Sequence, residues 1–378
     1  MEYEILKLVW WVLIGVLLIG FAVTDGFDMG VLALLKILGK TDQERRVMLN
    51  TVGPHWDGNQ VWFITAGGAI FAAWPIVYGV AFSGLYWALL LVLFALFFRP
   101  VGFEYRSKIE DERWRASWDI LLTIGGAVPA LVFGVAFGNL LLGLPFDMDD
   151  TMRSTYSGSF WQLLSPFAVL CGVVSLGMLM MHGANYLQMR VVGELKQRCQ
   201  SVVYVLASLT LAGFVLAGVW VATQISGYQV VAIPDVNGVV TPLMKTVNVQ
   251  PGAWLANYER YPMTIWAPLV AVSGLLLTML MTYLKRAGFA FVFSSLAVVG
   301  IIATAGLSLF PFIVPSSLHP DVSLTVWDVV SSAKTLGIML WAAMIFVPII
   351  LLYTLWGYYK MWGKITTEQV EAQKYGLY

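Results

Sequence analysis

The amino-acid sequence predicts an all-α membrane protein that crosses the bilayer several times, and two observations lead to this fold class. First, 59% of the 378 residues are hydrophobic and only 12% are charged, which is more apolar content than one soluble core can bury. Second, the apolar residues form long continuous runs, whereas the strands of a membrane barrel would alternate apolar and polar residues. We therefore expect a polytopic helical bundle.

Nine apolar runs are long enough to be transmembrane helices, since a helix needs about 20 mostly apolar residues to cross the hydrocarbon core. These runs are 9–34, 52–74, 77–98, 118–142, 163–187, 202–225, 264–284, 288–310 and 336–358. Most connections between them are short, which favours antiparallel neighbours in one bundle, so residues 1–378 are interpreted as a single transmembrane domain. The longest connection, about 226–263, combines Pro and Gly with β-branched residues and predicts a surface hairpin or loop.

The distribution of charge predicts the orientation of the bundle, although the net charge is zero, with 22 basic and 22 acidic residues. Most Lys and Arg residues follow the first, third, fifth and seventh runs or lie in the C-terminal tail, whereas the loop after the fourth run carries Asp147, Asp149 and Asp150. By the positive-inside rule, the N-terminus is then outside and the C-terminus cytoplasmic. The acidic first four residues are unlike a secretory signal, so we expect the first helix to be retained.

A dense polar segment opens the second run. Residues 53–62 read Gly-Pro-His-Trp-Asp-Gly-Asn-Gln-Val-Trp, which places His55, Asp57, Asn59 and Gln60 beside apolar sequence. A carboxylate at bilayer depth costs roughly 2.5 to 3.5 kcal/mol on insertion scales, and such residues commonly mark a proton, ion or substrate path. We interpret the segment as a polar, water-filled inlet in which Asp57 takes up protons; a position in the headgroup layer is the alternative.

Four further charged residues are expected near this inlet. Asp25 and Asp28 are three residues apart and therefore share one face of the first helix. Arg99 closes the third run and Asp119 opens the fourth, both on the predicted cytoplasmic side. With Asp57, four carboxylates and one guanidinium can converge there. Two alternatives remain: Arg99 and Asp119 as interfacial residues that reach water, and a structural ion pair of the acids with Arg99.

Glycine and histidine give two further expectations. Gly26 and Gly30 leave room for a neighbouring helix beside the two acids of the first helix. His182 lies well inside the fifth run, and we interpret it as hydrogen-bonded between helices. A membrane cytochrome usually pairs axial histidines across two helices, and the chain has only 3 histidines, one of them in an external loop. We therefore expect neither a metal site nor a haem on this chain itself.

Several motifs resemble a known family over nearly the whole length of the chain. The specific ones are Thr24-Asp25-Gly26-Phe27-Asp28-Met29-Gly30, Pro54-His55-Trp56-Asp57-Gly58-Asn59-Gln60-Val61-Trp62 and Phe97-Phe98-Arg99-Pro100-Val101-Gly102. Supporting segments are 14–18, 71–74, 137–139, 310–312, 315–317, 324–325 and 327–328. Together they resemble subunit II of the bd-type quinol oxidases, which are bacterial terminal oxidases of aerobic respiration.

This resemblance implies a nine-helix subunit of the bacterial cytoplasmic membrane that forms a heterodimer with a larger, haem-bearing subunit I. Subunit I of that family carries two haems b and one haem d and oxidises ubiquinol or menaquinol. Subunit II supports it and supplies a cytoplasmic proton route for the reduction of dioxygen to water, which generates proton motive force. Small single-helix accessory subunits can complete such a complex, and no nucleic-acid partner is expected.

The resemblance also implies roles for individual residues. Carried over motif by motif, Asp57 is similar to the proton-pathway carboxylate of the second helix, and Asp25 matches the family's first acidic position. Together with His55, Asn59 and Gln60, which accompany Asp57 in the polar segment, they form the candidate proton pathway. The residues similar to those that assemble the haem centre at the subunit interface are Asp28, Arg99 and Asp119.

A different class of function remains as the alternative. In a proton-coupled secondary transporter, the two acids on the glycine-interrupted first helix would form the ion site. Such a protein would carry a substrate site near the midplane and an inverted repeat.

Overall fold

The computed structural model describes residues 2–372, and most of them lie in long α-helices. In this part of the chain the α-helices are α1 (Tyr3–Ala33), α2 (Leu35–Leu38), α3 (Asp42–Val52), α4 (Trp56–Ala73), α5 (Pro75–Gly84), α6 (Tyr86–Tyr105), α7 (Glu112–Leu142), α8 (Pro166–Arg190), α9 (Gly193–Thr223), α10 (Ala256–Arg260), α11 (Trp266–Tyr283), α12 (Ala287–Leu309), α13 (Ala333–Met361) and α14 (Thr367–Ala372). The strands form antiparallel pairs: β1 (Phe146–Met148) with β2 (Ser154–Tyr156), β3 (Ser226–Ala232) with β4 (Thr246–Pro251), and β5 (Phe312–Val314) with β6 (Leu324–Thr325).

Within residues 2–372, 8 helices are long and apolar enough to cross a membrane, namely α1, α6, α7, α8, α9, α11 with the turn before it, α12 and α13. The prediction of an all-α polytopic membrane protein is thereby confirmed. The remaining predicted span corresponds to α4, whose 18 residues extend about 27 Å at the usual helical rise. Polar residues in its first turns lower its hydropathy, so a ninth span stays a prediction.

The third predicted span, 77–98, was placed wrongly. The chain turns at Trp74, and Pro75 begins the short helix α5, because proline is well suited to the first turn of a helix. After a break at Leu85, a separate helix α6 continues to Tyr105. Apolar sequence runs through this break, so hydropathy alone does not reveal it. As a consequence, Arg99 lies more than one turn before the end of α6 and does not close the span.

Helix α8 packs directly against the backbone of α1. A Cβ atom on Gly30 would lie 2.0 Å from the backbone oxygen of Leu179, and one on Gly183 would lie 2.6 Å from the carbonyl carbon of Gly30. A Cβ atom on Gly26 would lie 2.8 Å from the Leu179 side chain. The two glycines of α1 therefore permit the close helix approach that the sequence predicts.

Strands and loops cover the end of the bundle where α1 begins. The predicted hairpin is the β3–β4 pair, and Lys7 of α1 holds the loop between these strands, since its Nζ donates to the backbone oxygens of Val236 at 2.8 Å and of Trp327 at 2.8 Å. Nearby, the Nζ of Lys245 lies 3.1 Å from Oδ2 of Asp328, and both side chains are buried. These contacts fasten the hairpin to the bundle.

The short helices α2, α3 and α14 cover the opposite end. The hydroxyl of Thr41 accepts a hydrogen bond from the Glu44 backbone at 3.2 Å, and the Glu44 carboxylate accepts one from the Thr41 backbone at 3.3 Å. This capping box fixes the first turn of α3, which carries Asp42. Apolar core clusters lie towards both ends of the bundle, and the charged groups described next lie at the α3 end.

Candidate functional site

Five polar side chains are buried together where α1, α4 and α6 meet, and we name them the inner cluster: Asp25, Asp28, His55, Asn59 and Arg99. The exposed fraction is 0% for Asp25, Asp28 and Arg99, 2% for Asn59 and 6% for His55. The spacing of the two acids on one face of α1 directs both into this cluster, as predicted.

Arg99 and Asp25 form a bidentate ion pair. The guanidinium donates from NH1 to Oδ2 of Asp25 at 2.8 Å and from NH2 to Oδ1 at 2.5 Å. The ring of Trp56 lies 5.4 Å from the guanidinium carbon. Parallel charge-assisted hydrogen bonds of this kind are strong and fix the geometry of both side chains. The structure thus contains the buried ion pair that the sequence left open as an alternative for Arg99.

Asp28 is hydrogen-bonded at only one of its two carboxylate oxygens. Nδ2 of Asn59 donates to Oδ2 at 2.7 Å. The other oxygen, Oδ1, is buried and has no hydrogen-bond partner among the described residues; it faces Nδ1 of His55 at 3.6 Å. Leaving a buried acceptor without a donor is unfavourable. Oδ1 is therefore a place where a proton can bind.

Tyr186 sets the hydrogen-bonding state of His55. The Tyr186 hydroxyl donates to the backbone oxygen of Thr51 at 2.8 Å, and the same oxygen lies 2.8 Å from Nε2 of His55. With the hydroxyl hydrogen directed at Thr51, the tautomer that completes the hydrogen bond to Tyr186 is the neutral imidazole with its hydrogen on Nε2. The lone pair is then on Nδ1, which lies 3.3 Å from Nδ2 of Asn59 and 3.6 Å from the free oxygen of Asp28.

Tyr358 of α13 closes the inner cluster on its outer side. Its hydroxyl donates to Oδ1 of Asn59 at 2.5 Å, and its ring centroid lies 4.9 Å from that of His55. A groove of about 200 Å³ between α4 and α13 reaches these three side chains. Sequence reasoning missed Tyr186 and Tyr358, because tyrosine is also the ordinary residue of bilayer interfaces.

Asp57 and Gln60 lie outside the inner cluster. The side chain of Asp57 is exposed and that of Gln60 is half-buried. Residues two apart point in nearly opposite directions on a helix, so turning Asn59 inwards turns Asp57 outwards. Asp57 still lies close enough to interact electrostatically with Arg99.

A second set of charges, which we name the outer cluster, lies nearer the α3 end of the bundle: Asp42, Arg45, Arg106, Arg115 and Asp119. Arg106 donates from Nε to Asp119 at 2.5 Å and from NH2 to Asp42 at 2.7 Å. Arg45 Nε lies 2.8 Å from Asp119, and Arg115 NH1 lies 2.7 Å from Asp42. Burial alone would raise the pKa of Asp42, but the three arginines bring that pKa below its usual value.

Asp119 therefore does not join the inner cluster, contrary to the expected convergence of four carboxylates. The reason is the length of α6, because Arg106 follows Arg99 by two helical turns, about 10 Å along the axis. Asp119 is 1% exposed and pairs with this second arginine, not with the first. The interfacial alternative for Asp119 and Arg99, with side chains that reach water, also fails, since both are buried.

His182 is hydrogen-bonded between helices, as interpreted from the sequence. Its Nδ1 lies 2.7 Å from Oγ of Ser294 on α12, and its Nε2 lies 2.9 Å from the backbone oxygen of Val23 on α1. The imidazole stacks on Phe291 with ring centroids 4.7 Å apart. Within residues 2–372, no group of three or more His, Cys, Asp or Glu side chains is arranged to hold a metal ion.

Comparison with known proteins identifies the family to which this chain belongs. Residues 6–361 match the family model described as cytochrome bd terminal oxidase subunit II. The chain belongs to this family. The resemblance seen in the motifs is confirmed, and family membership supersedes the transporter alternative. The protein is a subunit of a quinol:oxygen oxidoreductase and a multi-pass protein of the bacterial inner membrane.

Individual relatives cover the chain from end to end. Subunit 2 of the cytochrome bd-I ubiquinol oxidase of Escherichia coli K12 is 56% identical over 378 residues, with 100% of both chains covered. A probable cytochrome oxidase subunit 2 of Haemophilus influenzae is 54% identical over 377 residues, again covering 100% of both chains. The bd oxidase structure from Geobacillus thermodenitrificans shares the fold, with a TM-score of 0.69, 13% identity and coverage of 94% of this chain and 98% of that one.

Proposed function

We propose that this chain conducts protons from the cytoplasm to the oxygen-reducing centre of a bd oxidase whose haems are held by subunit I. Reduction of one dioxygen to two waters consumes four electrons and four protons. If the protons come from the cytoplasm and quinol releases its protons outside, the reaction separates charge without a pump. The observation that carries the proposal is the buried inner cluster, in which one carboxylate oxygen is free to bind a proton.

The orientation follows from the same charges. We place the N-terminus outside and the C-terminus in the cytoplasm, with α4 as the ninth span. The outer cluster and the basic loops then face the cytoplasm, in agreement with the positive-inside rule.

Asp57 is the residue that we assign to proton uptake. It lies in the first turn of α4 and is exposed at the mouth of the route, while His55 and Asn59 lead inwards from the same segment to Asp28. Gln60, half-buried on α4, borders this path. Asp25 also borders it, but its bidentate pair with Arg99 makes it a fixed charge and not a carrier.

The faces of α4 and α13 that are exposed in this chain offer a surface on which a large partner subunit can pack. A Cβ atom on Gly58 or Gly68 of α4 would meet nothing within 4 Å, so another helix can approach closely there. The apolar part of α13 is only 6% buried. We propose that subunit I packs against these helices, and that Asp28, Arg99 and Asp119 hold α1, α6 and α7 in the arrangement which this contact requires.

The histidines of the chain do not fit axial ligation of haem, which supports placing haems b and d on subunit I. Both ring nitrogens of His182 and Nε2 of His55 are engaged in hydrogen bonds, and Nδ1 of His55 faces Asn59 at 3.3 Å. The third histidine, His319, pairs with Asp147 in a loop at the other end. The quinol would be ubiquinol or menaquinol bound to subunit I, with small accessory subunits as possible further partners.

The test uses the chain coexpressed with subunit I and reconstituted into liposomes. The purified complex should show haem d absorption. Asp57→Asn should lower turnover and voltage generation at least tenfold, because positioned acid–base groups contribute roughly 100-fold or more to proton transfer. Asp150→Asn, an exposed acid on the predicted external side, is the matched control. Unchanged turnover and unchanged voltage in Asp57→Asn would refute the proton-uptake role.

A further inference from the structure

We propose that Tyr358 is a gate, a positioning residue that separates buried Asp28 from the groove between α4 and α13. The proposal rests on the proton-conducting role of the inner cluster. It adds a second opening to that route, on the α13 side of α4, and it assigns a function to a residue that neither motif nor charge singled out.

The groove ends directly at the inner cluster. Its volume is about 200 Å³, and its lining includes Gly58 and Thr65 of α4 and Gly357 of α13 besides His55 and Tyr358. Two of these five residues lack side chains, which keeps the groove open along both helices.

Tyr358 and Asn59 together form the barrier between the groove and Asp28. The Tyr358 hydroxyl fixes Oδ1 of Asn59 at 2.5 Å, and Nδ2 of the same amide donates to Asp28 at 2.7 Å. The amide is thus held from both sides and cannot rotate. Without the tyrosine hydroxyl, only the contacts of Nδ2 with Asp28 at 2.7 Å and with Nδ1 of His55 at 3.3 Å orient the amide, and its oxygen is no longer held.

His55, which lines the groove beside this barrier, provides the proton acceptor. A proton that arrives through the groove binds the lone pair of Nδ1 once the Asn59 amide, 3.3 Å from that nitrogen, has moved away. The resulting imidazolium then passes the proton to Oδ1 of Asp28, which restores the neutral ring. No electrons move, and no bond other than those to the proton changes. The present separation of 3.6 Å exceeds a hydrogen bond by roughly 0.5 Å, so the transfer needs a small shift of either side chain.

The matched control for Tyr358 is its neighbour. Tyr359 is the same residue type on the same helix, is 77% exposed and does not line the groove. Replacing either tyrosine by phenylalanine removes one hydroxyl and leaves the ring in place. Only the change at Tyr358 releases Asn59.

The experiment measures the accessibility of Asp28 in the purified complex with subunit I. Dicyclohexylcarbodiimide adds to a protonated carboxyl group in apolar surroundings and leaves a stable N-acylurea, which peptide mass spectrometry locates. Tyr358→Phe should label Asp28 about five- to tenfold faster than wild type, the factor that corresponds to loss of one hydrogen bond. Tyr359→Phe should match wild type, and Asp28→Asn should remove the adduct.

A second variant tests the gate without touching any hydrogen bond. A Cβ atom on Gly357 would meet only the end of Met361, at 3.8 Å, so this position has room for a side chain, and we expect the leucine of Gly357→Leu to fill the groove. It should slow the labelling of Asp28. Equal labelling rates in wild type, Tyr358→Phe and Gly357→Leu, or no adduct at Asp28 in any of them, would overturn the gate. Either result would leave the proton-uptake role of Asp57 unaffected, because the voltage measurement on Asp57→Asn tests that role separately.

Discussion

The inner and outer clusters both pair carboxylates with arginines, but they differ in how completely the carboxylates are satisfied. In the outer cluster, Asp42 and Asp119 each contact two guanidinium groups. In the inner cluster, one guanidinium is used entirely by Asp25, and Asp28 receives a single amide hydrogen. The outer cluster is therefore a scaffold, whereas the inner cluster keeps one oxygen available for a proton.

This difference shows why ion pairs alone do not identify a functional site in a membrane subunit. A saturated cluster holds helices together and has nothing left to exchange. An unsaturated one is less favourable for the fold, and its retention makes sense where a proton must bind. The following substitutions test this contrast, beginning with the largest effect expected on stability.

Removing Arg99 should be the most damaging change. Arg99→Met leaves the Asp25 carboxylate buried without its partner, and breaking a buried pair on one side costs about 3–5 kcal/mol. The double variant Arg99→Met with Asp25→Leu should regain much of this loss, because apolar side chains can replace a buried pair. Thermal denaturation of the purified complex measures both. A double variant as unstable as Arg99→Met would contradict the buried-pair explanation.

Removing Asp119 should have a smaller effect. Asp119→Ala deprives Arg106 and Arg45 of a shared acceptor, but Arg106 keeps its hydrogen bond to Asp42. Loss of a charged hydrogen bond costs about 2 kcal/mol, so the denaturation temperature should fall by less than in Arg99→Met. Electron transfer in the complexes that assemble should remain normal. An effect as large as that of Arg99→Met would mean that the outer cluster is not redundant.

Asp28→Asn should change stability by about 1 kcal/mol or less, because the amide oxygen can still accept from Asn59 and the charged, half-satisfied carboxylate disappears. Proton-coupled turnover should nevertheless fall strongly. Measuring denaturation and turnover on the same preparation separates the two effects. A large loss of stability with normal turnover per assembled complex would make Asp28 part of the scaffold.

The contribution of the outer cluster to the stability of the fold should depend on pH only in the acid range. Because the pKa of Asp42 is depressed in the folded protein, its stabilising contribution is complete above the unfolded value, near 3.9, and disappears as the pH falls through the folded value. The denaturation temperatures of wild type and Asp42→Asn should differ at pH 6 and converge below about pH 4. A difference in denaturation temperature that persists or grows in acid would mean that folding does not lower the pKa of Asp42.

Much of this architecture can be predicted from the sequence, because apolar runs, charge asymmetry and the spacing of Asp25 and Asp28 are local properties. The contacts cannot be predicted in the same way. Arg99 was assigned to a helix end because the break at Leu85 leaves no trace in hydropathy. The separation of Asp57 from the inner cluster could not be predicted because the rotation of α4 is set by packing against α1.

The hydrogen-bond partners of the site depend even more on tertiary structure. Tyr358 lies 299 residues from Asn59 along the chain, and Tyr186 lies 131 residues from His55. No periodicity links positions so far apart. The sequence pattern identified the charged residues, and the family resemblance indicated the function. Only the three-dimensional structure revealed the free oxygen of Asp28 and the tyrosines around it.

The most direct test of proton conduction by this chain follows a single turnover in liposomes. The fully reduced complex reacts with oxygen while a dye reports proton uptake from the cytoplasmic side and a second dye reports voltage. Asp57→Asn should delay both signals together and leave oxygen binding unchanged, whereas Asp57→Glu should restore most of the rate. Proton uptake and voltage that rise at the wild-type rate in Asp57→Asn would contradict the account.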